Sequence, residues 1–181
     1  QPHDAKGRDA GFLRPGIHGM SISKVYFASR ELAESLIGKP SIAVISITDP
    51  GTPEANLHAN FEHVLRLAFY DAMPADEYLP APMPGLFDYR MARQIATFVQ
   101  DLHNSPNVVS MVVHCEYGVS RSAAVALFVE AYSGAPLISR EFTGEANQWV
   151  VDQLSQLRPE LDIDIPPANA APERRARPRP T

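Results

Sequence analysis

The segment that decides the fold of this chain is VVSMVVHCEYGVSRSAAVALFVEAY, which runs from residue 108 to residue 132. Its first six residues are apolar apart from one serine, a pattern typical of a strand that is covered on both faces of a sheet. Its last twelve residues, RSAAVALFVEAY, predict a helix. The segment therefore predicts a strand, a tight loop and a helix, with the loop at the carboxyl end of the strand.

The rest of the chain alternates in the same way. Strands that are interleaved with helices indicate an α/β fold class, here a central, mostly parallel sheet flanked by helices in three layers. No repeat of fixed period is visible, which excludes a solenoid. The further strands are predicted at 24–28, 41–47 and 63–69, and the further helices at 30–37 between a capping Ser29 and a terminating Gly38, from Leu86 to about His103, and once or twice within 140–157.

The length indicates one domain with two ends. The chain has 181 residues, and compact domains most often hold roughly 100–150. Residues 1–20 are rich in glycine and charge without periodicity, so we expect a poorly ordered leader or tag. Residues 166–181 hold five prolines and four arginines, which predicts a solvated tail or, alternatively, a docking arm for an acidic partner. The predicted domain is 21–165.

Composition excludes some classes of protein. The formal net charge of −5 argues against a surface devoted to nucleic acid or anionic lipid. No apolar stretch reaches the roughly 18–20 residues of a membrane span. The chain has one cysteine, so it cannot form an internal disulfide, which fits a reducing compartment. We therefore expect a cytoplasmic protein without a nucleic-acid partner or membrane span, and the oligomeric state is left open.

The loop HCEYGVSRS carries the chemistry. In open α/β sheets the crevice outside the carboxyl ends of the strands is where ligands bind, and the N-terminus of the next helix favours an anion there. A thiol in that field ionises readily, so we expect Cys115 to be a thiolate. Arg121 can hold two oxygens of a phosphate with its planar fork, and Gly118 relieves the crowded turn. The loop predicts a phosphate site.

The arrangement H-C-x-x-G-x-x-R-S after an apolar strand resembles the active-site loop of the cysteine-based protein tyrosine phosphatases, most of all their dual-specificity branch. The segment NQWVVDQL, 147–154, is similar to a late helix of that family, and the likeness spans about 24–158. The fixed positions of the motif are His114, Cys115, Gly118, Arg121 and Ser122, and the variable positions of the phosphate-binding loop are Glu116, Tyr117, Val119 and Ser120.

The resemblance implies a role for each fixed residue. Cys115 would attack phosphorus to form a phosphocysteine, which water then hydrolyses, while Arg121 and the loop amides hold the equatorial oxygens. Ser122 would donate a hydrogen bond to the departing thiolate, and His114 would hold the loop through hydrogen bonds. The family needs neither a metal nor a cofactor, so we expect none.

The family also places an aspartate on a loop after an upstream strand, as general acid and then base. Asp71 directly follows the strand HVLRLAF and is our choice, with Asp76 second and Asp88 third. The 44 residues from Asp71 to Cys115 exceed the usual gap in the family, and the proline-rich stretch 73–85 is the evident insertion. This departure leaves open which aspartate is the acid.

Other classes of function fit less well. GVSRS nearly matches the G-x-S-x-G elbow of serine hydrolases, but every histidine precedes Ser120, whereas that fold needs one after the serine. A silent phosphopeptide-binding module would usually lack Cys115 or Arg121, and arsenate reduction would recruit further cysteines. No variable loop position is basic, which favours a phosphoprotein over a multiply charged lipid. A small-molecule or lipid phosphate ester remains the alternative substrate.

Overall fold

The computed structural model describes residues 21–74 and 84–168. Its sheet has four strands in the order β1-β4-β2-β3, and every neighbouring pair is parallel. This arrangement confirms the predicted α/β fold with a parallel sheet. Because parallel strands point the same way, their carboxyl ends meet at one edge, which brings distant parts of the chain together. The strands are β1 (Ile22–Ser29), β2 (Ile42–Thr48), β3 (His63–Ala68) and β4 (Val109–Cys115).

In the part of the chain that the structure describes, four α-helices pack around the sheet. α2, α3 and α4 contact one another, and α3 also contacts β1 and β4, so these three helices build the main core on one face. Side chains alternate along a strand, so Val112 and His114 point to the other face, which α1 contacts. The helices are α1 (Arg30–Ser35), α2 (Tyr89–Asn104), α3 (Arg121–Ser133) and α4 (Gln148–Leu157), with one 3-10 turn at Arg140–Phe142.

α3 is the central helix of the domain. Every residue from Arg121 to Val129 is buried, which explains why RSAAVALFV shows no polar face. The helix ends at Gly134, whose φ of 71° lies in the left-handed region that favours glycine. Because the helix packs on all sides, its N-terminus is held at the carboxyl end of β4, directly after the loop HCEYGVSRS.

Ser29 and Gly38 were predicted to begin and end the first helix. Ser29 caps α1 as predicted, since its side chain accepts a hydrogen bond from Leu32 N at 3.2 Å. Gly38, however, does not end the helix: α1 stops at Ser35, and Leu36 is already extended. A Cβ at Gly38 would lie 2.7 Å from Phe61 N, so the glycine is needed where two loops touch. The prediction that Gly38 ends the helix was wrong, because a glycine can also be required where two loops pack too closely for a side chain.

The C-terminal residues that the structure describes belong to the domain. After α4 the chain is extended, and Leu161, Ile163 and Ile165 pack against the core. Arg140 Nη2 donates to Asp164 O at 2.9 Å. The predicted leader at 1–20, the stretch 75–83 and residues 169–181 of the predicted tail at 166–181 lie outside the described residues. None of the helices in the described part of the chain is both long and apolar enough to cross a membrane.

Candidate active site

The carboxyl edge of the sheet gathers the candidate residues. Cys115 is the last residue of β4, Asp49 follows β2 directly, and Phe69 and Asp71 follow β3. α3 begins at the same edge, and no side chain caps its N-terminus at Ser120. The positive end of the helix dipole is therefore available to an anion at this edge.

The loop from Glu116 to Ser120 is anchored on the junction of β1 and α1. Arg30 N donates to Glu116 O at 3.1 Å, and the guanidinium of Arg30 lies 3.7 Å from the Glu116 carboxylate. Gly118 has φ of 72°, and a Cβ there would lie 2.5 Å from the carbonyl carbon of Ala28. Only glycine allows both this backbone conformation and this close approach. The loop is therefore rigidly docked where β1 ends.

The Cys115 sulfur has polar neighbours although it is buried. Its residue is only 2% exposed, yet Gly118 N donates to Sγ at 3.3 Å. Ser122 Oγ, which is fully buried, lies 3.1 Å from the same sulfur. These two contacts are those that would stabilise a thiolate, because both an N–H and an O–H can donate to it. The thiol is free and is not simply packed among apolar side chains.

Arg121, the first residue of α3, is a charged residue that is almost fully buried. It is 3% exposed, and Nη1 donates to Asp49 Oδ1 at 2.7 Å and to Phe69 O at 2.6 Å. Its Nε is buried and has no hydrogen-bond partner among residues 21–74 and 84–168. A buried N–H without a partner is unfavourable by about 1–3 kcal/mol. The guanidinium thus keeps one buried donor for a partner that residues 21–74 and 84–168 do not supply.

The His114 side chain forms hydrogen bonds that connect β4 to β2 next to the loop. Its Nδ1 lies 3.2 Å from Cys115 O and its Nε2 2.6 Å from Ser46 Oγ. A carbonyl only accepts, so Nδ1 carries the proton and Nε2 accepts from the Ser46 hydroxyl. Burial lowers the pKa of His114, and the hydrogen bond to Cys115 opposes this shift in part. His114 is therefore a neutral structural bridge between β4 and β2.

Asp71 contacts the loop between β4 and α3 directly. Its Oδ1 accepts from Ser120 Oγ at 2.7 Å and from Asn147 Nδ2 at 2.8 Å, which leaves Oδ2 outside these contacts. Asp88 instead caps α2, where its Oδ1 accepts from Met91 N at 2.9 Å. Asp76 lies outside the described residues. Of the two candidate acids that the structure describes, only Asp71 contacts the loop.

The outer face of the loop exposes two uncharged side chains. Tyr117 is 82% exposed and Val119 41% exposed. Beside Asp71, Tyr70 and Met73 are also exposed. The charge of Glu116 is offset by Arg30, as described above. A molecule that approached the loop would therefore meet apolar and aromatic side chains rather than a cluster of cations.

Three residues at the site were not assigned a role from the sequence. Asp49 binds Arg121, Ser46 binds His114, and Asn147 both caps α4 and binds Asp71. The position of Asp49 directly after a predicted strand was the only available signal, and it is the same signal that led to Asp71. Among the described residues, no three histidine, cysteine, aspartate or glutamate side chains group as a metal site would need.

Comparison with known proteins finds a likeness in structure alone. No family model matches the chain, and no curated protein matches it significantly. Among the solved structures that match is the crystal structure of human DUSP28, at 15% sequence identity and a TM-score of 0.36. The match covers 80% of this chain and 82% of that one.

Proposed function

We propose that the protein is a phosphatase that hydrolyses phosphotyrosine, and also phosphoserine or phosphothreonine where they can enter, through a phosphocysteine intermediate. One observation carries the proposal: the Arg121 guanidinium is buried, its Nε has no partner among the described residues, and it follows a loop that places the Gly118 amide and the Ser122 hydroxyl 3.3 and 3.1 Å from the Cys115 sulfur. A nucleophile beside donors for an anion is the combination that phosphoryl transfer requires.

The first chemical step forms a bond between sulfur and phosphorus. The Cys115 thiolate attacks phosphorus, and the bond from phosphorus to the ester oxygen breaks. Asp71 gives its proton to that oxygen, so that the alcohol or phenol leaves neutral. Arg121 and the N-terminus of α3 stabilise the negative charge on the three equatorial oxygens.

The second step restores the enzyme. Asp71, now a carboxylate, takes a proton from water, which attacks the phosphorus of phosphocysteine. The bond between sulfur and phosphorus breaks and releases inorganic phosphate. The Ser122 hydroxyl, 3.1 Å from the sulfur, donates a hydrogen bond to the returning thiolate. No metal or cofactor takes part in either step of this scheme.

The substrate class is proposed from the rim of the site. The exposed side chains at the loop and beside Asp71 are Tyr117, Val119, Tyr70 and Met73, which suit an aromatic ring and a peptide better than a multiply charged headgroup. The single cysteine is a free, buried thiol, which is consistent with a reducing compartment such as the cytoplasm.

The test combines turnover with capture of the intermediate. Purified protein is incubated with p-nitrophenyl phosphate and with matched phosphotyrosine and phosphoserine peptides, quenched in acid and analysed by peptide mass spectrometry. We expect release of phosphate, fastest from aryl esters, and one phosphoryl group on Cys115. Absence of turnover, or a phosphoryl group on another residue, would contradict the proposal. Faster turnover of small phosphate esters than of peptides would favour the alternative substrate class.

The role of Asp71 as acid predicts an effect of Asn147, which holds its carboxyl group. Asn147→Ser retains a side chain that caps α4 but removes the amide donor to Asp71 Oδ1. We expect kcat for phenyl phosphate, a poor leaving group, to fall by about tenfold, and kcat for p-nitrophenyl phosphate to change by less than about twofold. Steady-state kinetics with both esters measures the difference.

Asp71→Asn is the reference for this measurement, because it removes the acid itself. It should slow phenyl phosphate more than Asn147→Ser does, with the same dependence on the leaving group. Equal slowing of both esters by Asn147→Ser would show that Asn147 supports the fold of the site rather than the acid. If Asp71→Asn leaves phenyl phosphate turnover unchanged, the acid is another residue.

A further inference from the structure

Asp49 and the Phe69 carbonyl hold one end of the Arg121 guanidinium. Both accept from Nη1, at 2.7 and 2.6 Å, so the two hydrogens of this nitrogen are used. Nε and Nη2 form the opposite edge of the planar group. Nε is buried without a partner among the residues described. The contacts with Asp49 and Phe69 therefore set the direction in which the second edge faces.

The two acceptors are neighbours because of the register of the sheet. Thr48 of β2 pairs with Ala68 of β3, so the residues that follow them lie side by side, and Phe69 N donates to Thr48 O at 3.0 Å. The Phe69 side chain is fully buried, with its ring centroid 4.9 Å from that of Phe87. Its carbonyl is thus fixed by the core. Asp49, with a side chain 39% exposed, is the acceptor that can be changed without opening the core.

The Asp49 carboxylate has two opposing effects on an anion at the site. Its hydrogen bond orients Arg121, which favours binding of two phosphate oxygens by the free edge. Its negative charge lies beside the same guanidinium and repels a phosphate dianion. When no substrate is present, that charge stabilises the buried cation. Orientation and charge can be separated by mutation, because asparagine keeps an acceptor oxygen and loses the charge.

We infer that Asp49 is a positioning residue, which orients the Arg121 fork toward the transferring phosphoryl group and acts through its acceptor oxygen rather than its charge. The inference rests on the proposed function. It predicts that Asp49→Asn keeps kcat within about threefold of wild type and lowers both KM and the inhibition constant of inorganic phosphate. Asp49→Ala, which lacks the acceptor, should lower kcat by about 10- to 100-fold.

The experiment measures kcat and KM for p-nitrophenyl phosphate and the binding of inorganic phosphate by calorimetry, on wild type and both variants. Asp101→Asn is the matched control, since Asp101 is exposed near the end of α2, at the opposite edge of the sheet. Thermal unfolding of each variant confirms that the measured protein is folded. A purely structural role would lower the unfolding temperature of both variants without the split between asparagine and alanine.

Two results would overturn the inference while the proposed function stands: wild-type kcat in Asp49→Ala, or equal loss of kcat in the alanine and asparagine variants. Conversely, a wild type that binds phosphate but hydrolyses no ester would contradict the proposed function alone, and phosphate affinity would then test Asp49. In that case tighter binding by Asp49→Asn together with weaker binding by Asp49→Ala supports the inference, and any other order overturns it. A wild-type protein that neither binds phosphate nor hydrolyses an ester would contradict both the proposed function and the inference about Asp49.

Discussion

Cys115→Ser is expected to lower kcat for aryl phosphates by a factor on the order of 10⁴ or more. A serine hydroxyl is not ionised at neutral pH and needs a neighbouring base to become a nucleophile. His114 cannot supply that base, because its two ring nitrogens are occupied by Ser46 and by the Cys115 carbonyl. The measurement is kcat with p-nitrophenyl phosphate and with a phosphotyrosine peptide.

The serine variant should still bind phosphate, because the substitution replaces one buried atom and leaves Arg121 and the loop amides in place. Calorimetry with inorganic phosphate is therefore the control, with a dissociation constant within about threefold of wild type expected. Turnover within tenfold of wild type would refute the nucleophilic role of Cys115. Loss of both turnover and phosphate binding would indicate instead that the loop had collapsed.

Arg121→Lys is expected to lower kcat/KM by about 10²- to 10³-fold, although it keeps the positive charge. Lysine presents a single ammonium, so it cannot pair with Asp49 and Phe69 O at one end and with two phosphate oxygens at the other. The substitution therefore tests the planar, two-pronged geometry of the guanidinium separately from its positive charge. The measurements are kcat/KM for p-nitrophenyl phosphate and the affinity for inorganic phosphate.

Arg158→Lys is the control for this substitution. Arg158 follows α4 at its C-terminus, where it pairs with Glu160 and lies over Tyr132, about 15 Å along the helix from Asn147 at the other end. Its replacement should leave kcat/KM unchanged. Arg121→Ala would be a poorer test, because it removes a buried side chain and leaves Asp49 without its cation. If Arg121→Lys has the same kcat/KM as wild type, the planar geometry of the guanidinium does not contribute to catalysis.

The strand, loop and helix that bring the candidate residues together could be predicted from the sequence because the pattern is local. Cys115, Gly118 and Arg121 lie within seven residues, and the apolar runs on either side of them identify a strand and a helix. A tight loop between such elements places its backbone amides and its arginine by short-range geometry alone. Asp71 could be proposed in the same way, since it directly follows a predicted strand and the ends of parallel strands share an edge.

The partners of these residues could not be predicted, because they depend on strand order. β4 lies between β1 and β2 although it is the last of the described strands in the sequence. Hydrophobic periodicity indicates which face of a strand is buried but not which strand lies beside it. The pairs that result are Arg121 with Asp49, His114 with Ser46 and Asp71 with Asn147, separated by 72, 68 and 76 residues.

The sequence by itself thus determined the α/β class of the domain, the loop with its thiol and guanidinium, and an aspartate, Asp71, that contacts the loop at Ser120. The tertiary structure alone decided which carboxylate binds the guanidinium, which amide binds Asp71, and that the histidine bridges two strands. The physical reason is that loop geometry depends on neighbouring residues, whereas these contacts arise only when the buried faces of distant segments have packed into one sheet and one core.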